Sequence, residues 1–107
     1  MSVKNNNEEK SAIALEGLKL VDDPEVGLNV VDLGLIYELD FNEAEKKVVC
    51  IMTLTTEFCP MGESIIENVK MSLETSFPNY QVDVFLTFQP PWTYDLISED
   101  GHAFLGR

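Results

Sequence analysis

Cys59, in the run Thr53-Leu54-Thr55-Thr56-Glu57-Phe58-Cys59-Pro60, is the side chain in this sequence best placed to do chemistry. It stands where an apolar strand pattern stops and a helical pattern begins. Proline is favoured at the first helical position because its missing N–H would be unpaired there anyway. The spacing therefore predicts Cys59 as the N-cap, facing free backbone donors and the positive end of the helix dipole. A thiolate is stabilised in such a place, and the thiolate is the form that attacks electrophiles or binds metals. Glu57 and Glu63 work against this, because each disfavours a further negative charge close by. The other reading is a small packing residue at a strand-to-helix corner, since free cysteine behaves as a modest hydrophobe.

The second string that could act is Phe88-Gln89-Pro90-Pro91-Trp92-Thr93. Two prolines cannot continue a strand and make a stiff turn that presents Trp92 at a set angle. The indole is then either a cap on the core or an anchor for a partner. Cys59 and Trp92 each come just after the end of a strand. With the first strand between the second and third, the latter two run the same way and the two side chains approach at one edge, next to a helix start. His102, near Asp95, Glu99 and Asp100, lacks any regular ligand spacing and reads as part of a solvated tail. There is no GxGxxG string, phosphate loop or CxxC pair, and a cysteine hydrolase would have only His102 as its base. A conventional enzyme is not expected.

Periodicity and turn residues define the elements that must hold these strings. Residues 1 to 10 are polar and aperiodic and are expected to be a disordered leader; residues 11 to 107 form one domain on length. Ala14, Leu18 and Val21 recur at helical spacing from Ser11 onward. That helix stops before Asp22-Asp23-Pro24-Glu25, where Asp23 caps a short turn begun by Pro24 and Gly27 breaks it off. Leu35, Tyr37, Leu39 and Phe41 alternate with Ile36, Glu38 and Asp40, the period of a half-buried strand. Val48 to Thr55 comes after a short turn, predicting an antiparallel hairpin with Val48, Cys50, Met52 and Leu54 in the core. Gly62, Ile65, Ile66, Val69, Leu73 and Phe77 make a second amphipathic helix, ended by Pro78 and Asn79. Gln81 to Phe88 is a third strand, with Val82, Val84, Leu86 and Phe88 inward. The order α-β-β-α-β implies an α+β fold, a two-layer α/β sandwich with a small three-stranded sheet and helices on one face. Ile36, Val49, Ile51 and Phe85 then lie on the other face, where the C-terminal segment or a second copy must cover them. A homodimer is the expectation.

Nineteen acidic against seven basic residues give a net charge of -12, which argues against nucleic acid or an anionic membrane as partner. No apolar run approaches the roughly 20 residues of a spanning helix, and the first residues lack a signal segment, so a cytoplasmic protein is expected. Cys50 in mid-strand and Cys59 beyond the strand's end fall outside the roughly 7 Å needed for a bridge, so both are expected as free thiols.

Four strings in order carry a resemblance: Asp23-Pro24-Glu25; Asn29-Val30-Val31-Asp32-Leu33-Gly34-Leu35-Ile36-Tyr37; Met52-Thr53-Leu54-Thr55 with Cys59-Pro60; and Pro90-Pro91-Trp92-Thr93. Together they resemble the MIP18 family, formerly a domain of unknown function (DUF59), which includes SufT and PaaD proteins, over about residues 11 to 106. The resemblance implies a domain of the iron–sulfur cluster assembly type and an accessory role in assembling clusters or delivering them to apo-proteins. By position, Cys59 matches the family's functional thiol and Asp23 and Glu25 its acidic turn. Trp92 falls in its Pro-Pro-Trp motif with Pro90 and Pro91, and Thr56 and Pro60 flank the thiol as partner-binding positions. Gln89 departs from the family pattern, which carries aspartate there. The cysteine-bearing C-terminal region of PaaD-type relatives is missing, which implies the SufT-like role. One thiolate cannot hold a cluster normally bound by four. No stably bound cofactor is therefore implied, but a transient iron–sulfur cluster at Cys59, with a scaffold or apo-client proteins as partners. The alternative is a PaaD-like, non-catalytic adaptor for a metallo-oxygenase or other multi-subunit enzyme.

Overall fold

Two alternating runs joined by a tight turn build the centre of the sheet. β4 (Ile36–Asn42) and β5 (Lys47–Met52) pair antiparallel, with Leu39 opposite Cys50 and Phe41 opposite Val48. The turn is held by the Asn42 side chain, which accepts the Glu45 N–H at 3.0 Å. α2 (Gly62–Ser76) carries the chain across to β6 (Gln81–Leu86), which lies parallel to β5 with Val48 beside Val82 and Met52 beside Leu86. A parallel neighbour needs a crossover of this kind. β5, and not the first long strand, is thus flanked on both sides by long strands, and β5 and β6 run the same way with their ends at one edge. This computed structural model describes residues 3–57 and 60–106.

The sheet has a fourth strand that composition does not reveal. β1 (Lys4–Asn5) pairs parallel with β4, and α1 (Glu8–Leu18) starts directly after the cap Asn7, whose side chain accepts the Lys10 N–H. Residues 4 to 10, expected as a leader, therefore belong to the fold. The reason lies in the asparagines. Asn6 accepts the Phe41 N–H at 2.9 Å and donates to the Phe41 carbonyl at 3.0 Å, so one side chain extends the ladder where the backbone leaves it.

α1 and α2 cover one face of the sheet. Ala14 and Leu18 from α1, Ile65, Val69 and Leu73 from α2, and Leu39, Val48, Cys50 and Met52 from the strands are sealed from solvent. Each large aliphatic side chain so buried contributes about 1.5–3 kcal/mol. Burial pushes the Cys50 thiol up to about 12, which makes it a packing residue with no thiolate at neutral pH.

Simple alternation fails in two places. A register shift between Ile36 and Glu38 turns both Ile36 and Leu39 inward and frees Tyr37 to the other side. An extra residue in a strand has this effect. Ile36 is consequently core and not part of the outer face. At the end of β6, Leu86 is 41% exposed although its pattern placed it inside, and Phe85 on the outer face is 56% exposed. Two-residue strands β2 (Asp22–Asp23) and β3 (Leu28–Asn29) form a separate hairpin. Beyond β6, a short 3₁₀ turn at Tyr94–Leu96 leads into α3 (Glu99–Leu105). No described helix is long and apolar enough to cross a membrane.

α2 begins later than the proline suggested. Its N-cap is Met61, whose carbonyl accepts the Ile65 N–H, and Pro60 lies in the preceding turn instead of at the first helical position. Proline fits a turn as readily as a helix start, so burial of Gly62, Ile65, Val69 and Leu73 decides where the helix begins. Cys59 lies outside the described residues, and the N-cap position expected for it is taken by Met61.

Candidate functional site

The acidic turn folds as its residue types demand. Asp23 Oδ1 accepts the Glu25 N–H at 2.9 Å, while its carbonyl accepts the N–H groups of Val26 and Gly27. Gly27 then takes φ +80°, where a side chain is disfavoured. Aspartate bonding two residues ahead is the expected chemistry of such a turn. Asp23 itself is only 1% exposed, and its Oδ2 is buried with no hydrogen-bond partner among the described residues. Leaving such an atom unpaired costs stability.

The strings around Leu33 and Trp92 are two halves of one clasp. Trp92 Nε1 donates to the Leu33 carbonyl at 2.6 Å, and the Tyr37 hydroxyl, freed by the bulge, donates to the Pro90 carbonyl at 2.9 Å. The Gln89–Pro90 peptide is cis. Gly34, at φ +78°, lies against the Leu96 backbone with no room for a β-carbon. The Trp92 and Tyr94 rings meet edge to face, 5.5 Å apart. Trp92 is half-buried: its polar tip is satisfied inside the protein, while its ring faces a cavity. The indole thus packs in part on the core.

Below the clasp, Asp32 ties α3 to the same loop. Its carboxylate accepts from the Asn29 amide and the Ser98 hydroxyl, each at 2.7 Å, and its backbone carbonyl accepts the Ser98 N–H. Ser98 Oγ in turn caps α3 by accepting the Gly101 N–H. Burial pushes the Asp32 carboxyl upward, but the bonds from Asn29 and Ser98, with Lys19 nearby, outweigh it and hold the group below its ordinary 3.8. A carboxyl lowered in the folded state stabilises fully above its unfolded value and loses that contribution as pH falls through the folded value. Asp32→Ala should therefore cost about 2 kcal/mol at neutral pH. It should also weaken the acid dependence of unfolding below about pH 4, monitored by Trp92 emission. Equal acid slopes in the two proteins would show that Asp32 is not the titrating latch. Neither Asp32 nor Ser98 was singled out from the sequence as a site residue, where Asp32 is one of nineteen acidic residues.

Glu25, Thr55 and Trp92 come together around one cavity of about 440 Å³, whose other described walls are Val26, Leu33, Tyr94, Ile97 and Leu105. All four recognised strings and α3 thus converge at the edge where β5 and β6 end. Asp23 shapes the turn but does not line the cavity, and Thr56, Pro60, Pro90 and Pro91 are exposed outside it. His102, expected in a solvated tail, is half-buried on α3. Among the described residues no three His, Cys, Asp or Glu side chains are grouped to hold a metal ion.

Comparison with known proteins accounts for the shared strings. The family described as "Iron-sulfur cluster assembly protein" matches residues 12–84. A protein of Porphyromonas gingivalis named "Fe-S protein maturation auxiliary factor" is 44% identical over 89 residues, covering 83% of this chain and 84% of that protein. The "Fe-S protein maturation auxiliary factor SufT" of Staphylococcus aureus is 40% identical over 88 residues, 81% of this chain and 98% of its own length. The crystal structure of a DUF59 domain from Bacillus anthracis superposes with a TM-score of 0.86 at 33% identity, over 92% of this chain and 93% of that one. With its fold and its sequence in agreement with these relatives, the chain belongs to the iron-sulfur cluster assembly protein family formerly called DUF59.

Proposed function

We propose that this protein is a non-catalytic accessory factor in the maturation of iron–sulfur proteins, engaging a scaffold or an apo-client through the edge that holds the Trp92 cavity. The names of its relatives support the general role. The observation that carries the finer reading is the convergence of Glu25, Thr55 and Trp92 on one cavity, with Cys59 four residues after Thr55 in the chain. Cys50 is buried and protonated, which leaves Cys59 as the thiol for exchange chemistry.

A single thiolate suits handover better than storage, because a cluster is normally held by four ligands. In handover the Cys59 thiolate displaces one thiolate of an arriving cluster, and a client cysteine later displaces Cys59. The net charge of the cluster and its ligands is conserved in each exchange. The Cys59→Ser protein should support client maturation at least about tenfold more poorly while still binding its partner, since a hydroxyl is a far weaker ligand than a thiolate. Cluster content of a client enzyme, measured in cells lacking the native protein and complemented with each form, checks this. Unchanged maturation would reject handover and leave an adaptor of the PaaD kind.

A further inference from the structure

We propose that the cavity between Trp92 and Val26 receives an apolar anchor residue from a basic peptide segment of the partner protein. This rests on the reading of that edge as partner-facing, and it specifies the chemistry of the docking segment. Among the described residues, six of the eight walls are apolar or aromatic, and only Glu25 and Thr55 are polar. The shape is set before binding, because Trp92 is fixed to the Leu33 carbonyl and α3 to Asp32. A preformed pocket of this kind favours a buried aliphatic or aromatic side chain, the usual centre of a protein interface.

The charge of the partner can be inferred from where this chain keeps its lysines. The stretches that build the walls, 20–45, 48–69 and 71–106, contain no lysine or arginine at all. Asp22, Asp95, Glu99 and Asp100 lie close in sequence to wall residues, and all are exposed. At the far end of the sheet lysines are present and paired: Lys10 with Glu43 at 2.7 Å, and Lys47, at the start of β5, with Asp83 at 3.3 Å. Acidic side chains thus outnumber basic ones in the stretches that build the cavity. A surface of this sign draws in cationic segments and disfavours nucleic acid. An apolar mouth in a negative field fits a peptide that presents Leu or Phe between lysines.

Trp92 is the sole tryptophan and lines the cavity, so its emission reports occupancy directly. The full chain is titrated with the capped peptide Lys-Lys-Leu-Phe-Lys-Lys, with a form carrying alanine at both apolar positions, and with a form carrying glutamate for every lysine. A saturable emission change is expected with the first. Binding should be about tenfold weaker without the anchors, undetectable for the acidic form, and several-fold weaker when salt rises from about 50 to about 300 mM. Amide shifts in labelled protein should gather at Thr55, Ile97 and Leu105 and spare Asn42 and Lys47. Equal affinity of the alanine peptide, binding of the acidic one, shifts at the far end, or no saturable heat in calorimetry each overturns the proposal. Should peptide binding fail while Cys59→Ser still abolishes maturation, the docking chemistry is wrong and handover stands. The opposite pair of results rejects handover and keeps the docking surface.

Discussion

Gly34→Ala is expected to cost about 3–5 kcal/mol of stability and to lower Tm by more than about 10 °C. Two effects add at this residue. Gly34 has φ +78°, a conformation that costs an alanine about 1–2 kcal/mol. A β-carbon there would also run into the Leu96 carbonyl oxygen and stand 2.7 Å from its carbon. Those neighbours are backbone in a segment pinned at Trp92 and Ser98, so no side chain can rotate out of the way. Relief requires moving the 3₁₀ turn, and with it the cavity wall at Ile97. Gly27 supplies the internal control. It has the same kind of dihedral, φ +80°, but nothing lies within 4 Å of its missing β-carbon. Gly27→Ala should therefore show the dihedral cost alone. Thermal or denaturant unfolding of the two variants separates strain from clash. If they agree to within about 0.5 kcal/mol, the close approach of Leu96 is without energetic consequence.

Trp92→Ala should lower stability by about 3 kcal/mol, and Trp92→Phe by about 1–2 kcal/mol. The alanine loses the ring that packs on the core and meets Tyr94, together with the bond to Leu33. Phenylalanine keeps an aromatic wall and removes only the N–H, leaving the Leu33 carbonyl without that donor. Tyr37→Phe deletes the other half of the clasp, the bond to the Pro90 carbonyl. Because both bonds restrain one short segment, the double variant Trp92→Phe with Tyr37→Phe should fall short of the sum of the singles. Urea unfolding of the four proteins measures that coupling, and strict additivity would mean that the two bonds hold independent segments. Trp92→Ala should also reduce client maturation at temperatures where the variant remains folded, whereas Trp92→Phe should largely retain it. Loss of function equal in both would point to the indole N–H, not to the cavity wall.

Much of this site could be read in advance because its parts are local. Aspartate before proline folds back on its own backbone two residues later, so the Asp23 turn is dictated by residue type at short range. The inward set Val48, Cys50 and Met52 and the α2 stripe Ile65, Val69 and Leu73 are dictated by periods of two and about 3.6. The family strings were legible for the same reason: they are contiguous.

The joints between those strings were not legible. Leu33 meets Trp92 through a carbonyl that every residue possesses, 59 positions away in sequence, so nothing in the identity of Leu33 announces the contact. The same holds for Asn6 on the Phe41 backbone and for Ser98 on the Asp32 carbonyl. The bulge at Tyr37 breaks the period of two, and with it the assignment of Ile36 to the outer face. The start of α2 at Gly62 was set by burial against the sheet, not by Pro60. By itself, then, the amino-acid order determined the three long strands, the two long helices and the acidic turn, because short-range sterics and periodic burial depend on side-chain type. Only the tertiary structure decided that Glu25, Thr55 and Trp92 share one cavity, because the bonds and close approaches that assemble it are made largely to backbone atoms, which are the same at every position.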